Sequence, residues 1–274
     1  VEQTELSELE ERARQVRMDV TDMFYKWGHG HFGGSFSSVE ILIALYFHTL
    51  QVDPKNPEWP DRDRFIMSKG HGAAALYSVM AQRGFFPEEW LGRYGDLCAN
   101  LNCHPSMARI PGVDLSSGSL GHGLPVGVGM AYAAKMDNKN YHTFVLLGDG
   151  ECHEGMIWEA AMAAPHFKLD NLVAIVDRNR LCIAGRTEDW LPLEPFASKW
   201  RDFNWETHTI DGHDLAALIC LLDQVTSRRN GLPKVIIADT IKGKGVATME
   251  NDPDWHAHGI DQKMYELVIK ELRR

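Results

Sequence analysis

The run Val145-Leu146-Leu147-Gly148-Asp149-Gly150-Glu151 leads from apolar residues into a carboxylate flanked by two glycines. Thirty residues beyond Asp149, a second apolar run ends in Val176-Asp177-Arg178-Asn179-Arg180-Leu181. A carboxylate (Asp149) and a side-chain amide (Asn179), with backbone carbonyls nearby, are hard oxygen donors. They suit Mg²⁺ or Ca²⁺ shared with a diphosphate rather than zinc. The glycines permit a tight turn and close approach of a phosphate to the main chain. A helix starting near His153 adds free amides and a partial positive charge at the same place. GDG alone is a common turn; GDG followed at this distance by Asn after a second strand is much more specific. A metal-dependent phosphohydrolase is the competing chemistry, but it requires several converging carboxylates, whereas this pair offers one acid and one amide.

Two such residues meet only if the chain between them is one βαβ unit. Its right-handed crossover makes the strands parallel and brings both residues to one sheet edge. That edge is where open α/β sheets bind ligands. The surrounding pattern agrees. Strand-like runs at 143–147, 172–176, 206–210 and 235–238 alternate with helical stretches near 153–168 and 213–229, the signature of a parallel sheet covered by helices on both faces. Upstream, residues 5–27 carry Leu6, Leu9, Ala13, Val16, Val20 and Phe24 at helical spacing. The cluster 28–34 is too rich in glycine to continue a helix, and a second helix is expected at 37–51, capped by Ser37 or Ser38. Residues 53–64 form a loop rich in proline and charge. Ser68-Lys69-Gly70-His71-Gly72 opens an apolar helix that ends at Gly84, and a long loop over 100–123 leads into a helix at 120–137. An amphipathic helix closes the chain. The expectation is one doubly wound, mainly parallel α/β domain over 1–274, with no linker or repeat to divide it.

Composition excludes several classes. With 28 Lys+Arg against 38 Asp+Glu, the formal charge is -10, which argues against a general nucleic-acid binder. No apolar run reaches the ~18–20 residues of a membrane span. The N-terminus is acidic and helix-prone, unlike a signal peptide, and it lacks an initiator Met. Five cysteines (98, 103, 152, 182 and 220) in a chain of this length read as reduced thiols of a cytoplasmic protein.

On these residues the chain resembles the transketolases. GDGECHEGMIWEAAMAAPHFKLDNLVAIVDRNRL is similar to the thiamine diphosphate motif. Other landmarks follow the same family in order: GHGHFGGSFSSVEIL (28–42), RFIMSKGHGAAALYSVM (64–80), NCHPSMARIPGVDLSSGSLGHGLPVGVGMA (102–131), IDGHD (210–214), DTIKGKGV (239–246) and HAHG (256–259). The resemblance covers nearly the whole chain and corresponds to the N-terminal, diphosphate-binding domain. It implies thiamine diphosphate as cofactor, with Mg²⁺ (Ca²⁺ or Mn²⁺ as substitutes) on Asp149, Asn179 and the Leu181 carbonyl. It also implies that Gly150 gives its amide to the diphosphate, and that His71, Gly118, Leu120, Gly148, Glu151, Lys242 and His258 help to hold the cofactor.

By the same resemblance His31, His71, His104 and His258 line the donor-sugar side, binding hydroxyls and moving protons, work suited to a group that titrates near neutrality. His213 in DGHD reads as structural. His29, His122, His153 and His256 carry no assignment, and His122 stands where transketolases usually have Gln. Glu154 and Glu159 read as charges near a helix N-terminus and, by resemblance, as part of an acidic interface network. Lys242 and Lys244 are either phosphate-facing charges or a solvated basic turn, since GxxxxGK[ST] is absent. Cys103-His104 and Cys152-His153 lack zinc-site spacing.

The family uses a Glu on a pyrimidine-binding domain to activate the cofactor ring, and a third, C-terminal domain follows that one. This chain stops at Arg274, so it reads as a fragment or as one subunit of a split transketolase, and the terminal helix favours the subunit. The resemblance therefore implies an enzyme inactive alone. It would act with a partner carrying the missing domains, two copies of each, transferring a two-carbon ketol unit between sugars or sugar phosphates. Other thiamine enzymes (deoxyxylulose-phosphate synthase-like or 2-oxoacid dehydrogenase-like) and a non-catalytic regulatory paralogue are the alternatives. The wording GDGECHEGMIWEAA favours transketolase.

Overall fold

The structure is a computed structural model that describes residues 3–273. Helix α1 (Gln3–Trp27) buries Leu9, Ala13, Val16, Val20 and Phe24 along one stripe, as their spacing requires. The glycine-rich cluster then departs from expectation. It contains a short helix, α2 (Phe32–Phe36), followed by α3 (Val39–Ala44) and a π-type turn to Thr49. Tertiary contact overrides propensity here: a Cβ at Gly33 would lie 2.7 Å from Lys242 Cγ, so the position needs absence of bulk rather than a break. Ser37 and Ser38 make no capping bond to α3 either. Their hydroxyls are turned to Asp177.

Strand β1 (Arg64–Met67) falls where sequence places the end of a loop. Four residues are too few to show a period. Then come α4 (Ala73–Arg83), the long loop, α5 (Gly123–Met136), β2 (Thr143–Gly148), α6 (Gly155–His166) and β3 (Leu172–Arg178). A small hairpin, β4 (Leu181–Cys182) with β5 (Gly185–Arg186), and the short helices α7 (Thr187–Trp190) and α8 (Phe196–Asp202) were not legible in the pattern. β6 (Glu206–Asp211), α9 (Leu215–Ser227), β7 (Lys234–Asp239) and α10 (Gln262–Leu272) complete the chain.

The five long strands form one wholly parallel sheet in the order β1-β2-β3-β7-β6. Side chains alternate between two cores, as a pleated sheet buried on both faces requires. Phe144, Leu146, Val173 and Ile175 pack with α1, α3, α4 and α9. Val145, Leu147, Leu172 and Ala174 pack with α5, α6 and α8. Helices on both faces of a parallel sheet are the doubly wound architecture expected. Gly148 pairs directly with Asp177, which brings Asp149 and the Asp177–Asn179 turn together at the carboxyl edge. Among the described residues no helix is long and apolar enough to cross a membrane.

Candidate active site

A cavity of about 260 Å³ opens at that edge, walled by Gly34, Lys69, His71, Leu120, Gly148, Asp149, Gly150, Glu151, Asn179, Leu181, Cys182, Ile183, Lys242 and His256. Asp149 is buried at the end of β2. Its Oδ1 accepts from the Gly150 amide at 2.7 Å, and its Oδ2 accepts from Arg178 Nη1 at 3.1 Å and from the Arg180 amide. Burial, and then the charge of Asp177, push the Asp149 carboxyl up. Asn179 Oδ1 accepts from the Leu181 amide at 3.1 Å, while its Nδ2 donates to Asp177 Oδ1 at 3.2 Å. Glu151 is fixed by Ser68 and by the amides of Gly121 (2.9 Å) and Gly148 (3.0 Å), and burial raises its carboxyl too.

Beneath these residues lies a fully buried ion pair, Lys69 with Asp177. Asp177 also accepts from Ser37, Ser38, Thr240 and Asn179. One carboxylate therefore joins the ends of β3 and β7, the α2–α3 junction and the SKGHG turn. Lys242 is buried on the opposite wall. Its Nζ donates to the carbonyls of Leu181 (3.1 Å) and Cys182 (3.3 Å) and lies 2.9 Å from His256 Nδ1. Burial, then the neighbouring Lys69, bring it down to about 8, so an arriving anion favours its charged form. His213 sets this loop from behind. Its Nε2 accepts from the Ile241 amide at 2.8 Å, which leaves Nδ1 to donate to Glu40 at 2.9 Å.

Imidazoles gather at the mouth. The His31 ring centre is 5.4 Å from that of His71, 5.7 Å from His256 and 6.4 Å from His104, and His71 and His256 are 5.2 Å apart. Burial, then neighbouring cationic groups, hold His31 down to about 4, His256 to about 3 and His71 well below its usual value. Burial lowers His104 as well. At pH 7 these rings are neutral donors and acceptors rather than charges.

A carboxylate, an amide oxygen and a main-chain carbonyl here are hard oxygen donors beside a buried lysine, and the comparisons with known proteins give the family. The family described as transketolase, thiamine diphosphate binding domain, matches residues 9–272. The chain belongs to this family. It is 41% identical over 267 residues to a protein of Clostridium sp. (strain MSTE9) named 6-deoxy-6-sulfo-D-fructose transketolase subunit SqwG, covering 97% of each chain. It is 42% identical to an apulose-4-phosphate transketolase subunit of Actinobacillus succinogenes, covering 97% of this chain and 96% of that one. The solved transketolase of Campylobacter jejuni superposes with a TM-score of 0.91 at 30% identity, covering 97% of this chain and 42% of that chain. This chain thus spans about two-fifths of that transketolase.

Within this transketolase-family fold, most of the sequence-assigned residues meet in the cavity wall: His71, Leu120, Gly148, Asp149, Gly150, Glu151, Asn179, Leu181 and Lys242. His31 and His104 stand just outside it. Gly118 is one layer back, where its backbone (φ +151) passes so close to His104 that a Cβ would meet the ring at 3.0 Å. The Gly150 amide is directed at Asp149 Oδ1 rather than left free. Lys244, unlike Lys242, takes no part in the wall.

His258 lies elsewhere. Its main chain bridges Gly30 and its exposed ring lies against Trp255, while His256, unassigned by the resemblance, reaches the cavity. The 3₁₀ turn Pro253–His256 ends between them, so two imidazoles two residues apart point to different places. Lys69, Asp177 and Arg178 were also missed. Their only signal in sequence is charge inside otherwise apolar or motif segments, which implies a buried partner.

Proposed function

We propose that this chain is the thiamine-diphosphate-binding subunit of a two-component transketolase, transferring a two-carbon ketol unit from a ketose to an aldose. A partner carrying the pyrimidine-binding and C-terminal domains completes the site, two copies of each subunit assemble in the cytoplasm, and residues 1–274 act as one domain. The observation that carries the reading is the convergence of Asp149, Asn179 and the Leu181 carbonyl with Lys242 and a set of neutral imidazoles at one sheet edge. Relatives of nearly this length described as transketolase subunits support the split arrangement. The cavity, smaller than the ~300–1,000 Å³ usual for a whole organic ligand, suits one end of a cofactor whose other end sits elsewhere.

The residues fit the implied groups. Asp149 Oδ1, Asn179 Oδ1 and the Leu181 oxygen each accept one hydrogen bond, leaving each a further lone pair for Mg²⁺, with Ca²⁺ or Mn²⁺ as substitutes. Three buried cations (Lys69, Arg178, Lys242) face three buried carboxylates (Asp149, Glu151, Asp177). The pocket is therefore near neutral, and an anionic diphosphate calls for an added cation. When bound, thiamine diphosphate supplies the nucleophilic carbon that carries the ketol unit. Lys242 would neutralise a diphosphate oxygen, and His71 and His256 would stand between the diphosphate and the sugar. His31 and His104 would orient donor hydroxyls, donating from one ring nitrogen and accepting at the other without the cost of a buried charge, and a ring that takes a proton from a hydroxyl would be driven by its low basicity to return it.

Thermal unfolding with thiamine diphosphate and Mg²⁺ tests this reading. At about 100 times Kd a ligand adds ~2.7 kcal/mol, a rise of about 5–10 °C for a chain of this size. The rise should need both components and vanish in Asp149→Ala. No shift with the wild-type chain would overturn the cofactor assignment. Ketol transfer by the chain without its partner would overturn the split arrangement.

A further inference from the structure

Arg178 sits between Asp177 and Asn179, with a guanidinium only 2% exposed. Nη1 donates to Asp149 Oδ2 at 3.1 Å and to Thr187 Oγ1 at 2.9 Å. Nη2 donates to Glu188 Oε1 at 2.9 Å and to Glu194 Oε1 at 3.0 Å. Its carbon centre stands 5.4 Å from the Phe196 ring. Asp149 belongs to the sheet edge, whereas Thr187, Glu188 and Glu194 belong to the segment that runs from β4 to α8. The carboxylates on that side hold main chain in turn. Glu188 accepts from the amides of Leu193 (3.2 Å) and Glu194 (3.3 Å), and Glu194 accepts from that of Phe196 (2.8 Å). The root of this segment, Leu181–Ile183, is cavity wall. Its tip exposes Trp190 and Leu191 and is held to its root by a hairpin of only two residue pairs.

We propose that Arg178 is a positioning residue that clamps the 183–194 segment to the Asp149 carboxylate, so that filling the metal–diphosphate site and ordering this segment are linked. A planar fork with five N–H groups can serve three carboxylates and a hydroxyl at once, and a lysine ammonium cannot. Asp149 is the shared element. A cation that fixes its carboxylate fixes the face Arg178 grips and hence the segment. By thermodynamic reciprocity, a segment held in place presents Asp149 ready-oriented to the cation. The clamp stands on the contacts alone, whereas the linkage rests on the metal–diphosphate reading above.

Limited proteolysis of the purified full-length chain, with any partner that copurifies, separates the two. Cuts between 183 and 194 are mapped by mass spectrometry, with and without thiamine diphosphate and Mg²⁺, beside a thermal shift for cofactor binding. Without cofactor, Arg178→Met should be cut about tenfold faster than wild type in this segment, and Arg178→Lys should remain closer to Arg178→Met than to wild type. Glu188→Gln and Glu194→Gln together place the change on half-exposed residues that do not threaten folding, and should raise cutting about threefold. With cofactor, the wild-type segment should be protected about tenfold further, and this extra protection should disappear in Arg178→Met even at saturating cofactor. Equal cutting of wild type and the variants without cofactor would overturn the clamp. Full cofactor protection in Arg178→Met would overturn the linkage, marking Arg178 as merely structural. A wild-type chain with no thermal shift fails the cofactor reading and with it the linkage, while the cofactor-free arm still decides the clamp.

Discussion

Replacing Asp177 by Asn keeps the shape of the side chain and removes its charge. In the wild-type protein Asp177 is fully buried and accepts from Lys69, from Ser37 at 2.6 Å, from Ser38 and Asn179 at 3.2 Å each, and from Thr240. Burial alone would raise its carboxyl, but the Lys69 charge and these hydrogen bonds overcome that and hold it below the usual range. In Asp177→Asn, Lys69 keeps the Gly34 carbonyl (2.8 Å) and the Ser38 hydroxyl (2.9 Å) but loses the carboxylate paired with it. One of its former acceptor oxygens becomes an NH₂ group that meets donors. Breaking a buried pair from one side costs about 3–5 kcal/mol, a large part of a total stability of ~5–15 kcal/mol. Equilibrium urea unfolding should therefore move its midpoint down by about 1 M or more at unchanged slope, taking ~3 kcal/mol/M as the slope. Lys69→Met with Asp177→Asn should recover at least half of the loss, because the stranded charge is then gone. A single-variant cost below about 1 kcal/mol, or a double variant no better than the single, would show that this pair does not hold the cavity floor.

Three further outcomes follow from the same geometry. His31 and His256 have folded pKa values of about 4 and about 3 against ~6.5 unfolded, so the unfolded chain binds more protons as pH falls. Their stabilising contribution is complete above pH 6.5 and is lost toward pH 4, by about 1 kcal/mol each after allowance for partial exposure. Unfolding midpoints measured from pH 7 to 4.5 should flatten in a His31→Asn, His256→Asn variant; a slope equal to wild type would contradict the assignment. Glu40→Gln should loosen the His213–Ile241 contact behind Lys242 and weaken thiamine diphosphate binding about three- to tenfold, the value of roughly one hydrogen bond. An unchanged titration curve would disconnect that relay from the cavity. Lys242→Met, by removing a buried countercharge, should weaken binding of the diphosphate more than Glu40→Gln does, and the reverse order would refute the role given to Lys242.

The half of the site legible in sequence is the half written in contiguous chain. Asp149 and Asn179 each follow a strand of one βαβ unit, and the parallel run of those strands, observed with Gly148 opposite Asp177, is what the crossover implies. Resemblance then added Leu181, His71 and Lys242, all found in the cavity wall. The illegible half depends on separations that no local pattern encodes. Lys69 and Asp177 are 108 residues apart, and His213 meets Glu40 across 173. The hydroxyls of Ser37 and Ser38 read locally as caps because a helix follows, and only the buried carboxylate beyond them takes them away. His256 and His258 differ by a turn boundary that two histidines in HAHG cannot reveal.

These misses share a physical cause that bears on function. Lys69, Asp177 and Arg178 each carry a charge into the interior, and each is matched there by a group from another element. Sequence reading weighs residues by type and neighbour, so Lys69 in SKGHG and Arg178 in VDRNR pass as surface charges of a chain that is acidic overall. Inside the fold they make the cavity nearly neutral before any ligand arrives. An anionic diphosphate entering alone would upset that balance in one direction, and a divalent cation entering alone would upset it in the other. Together they bring opposite charges to a balanced pocket, so cofactor and metal should bind with strong mutual dependence. A cooperative titration, each component tightening the other's binding about tenfold or more, is what this balance demands, and independent binding of the two would refute it.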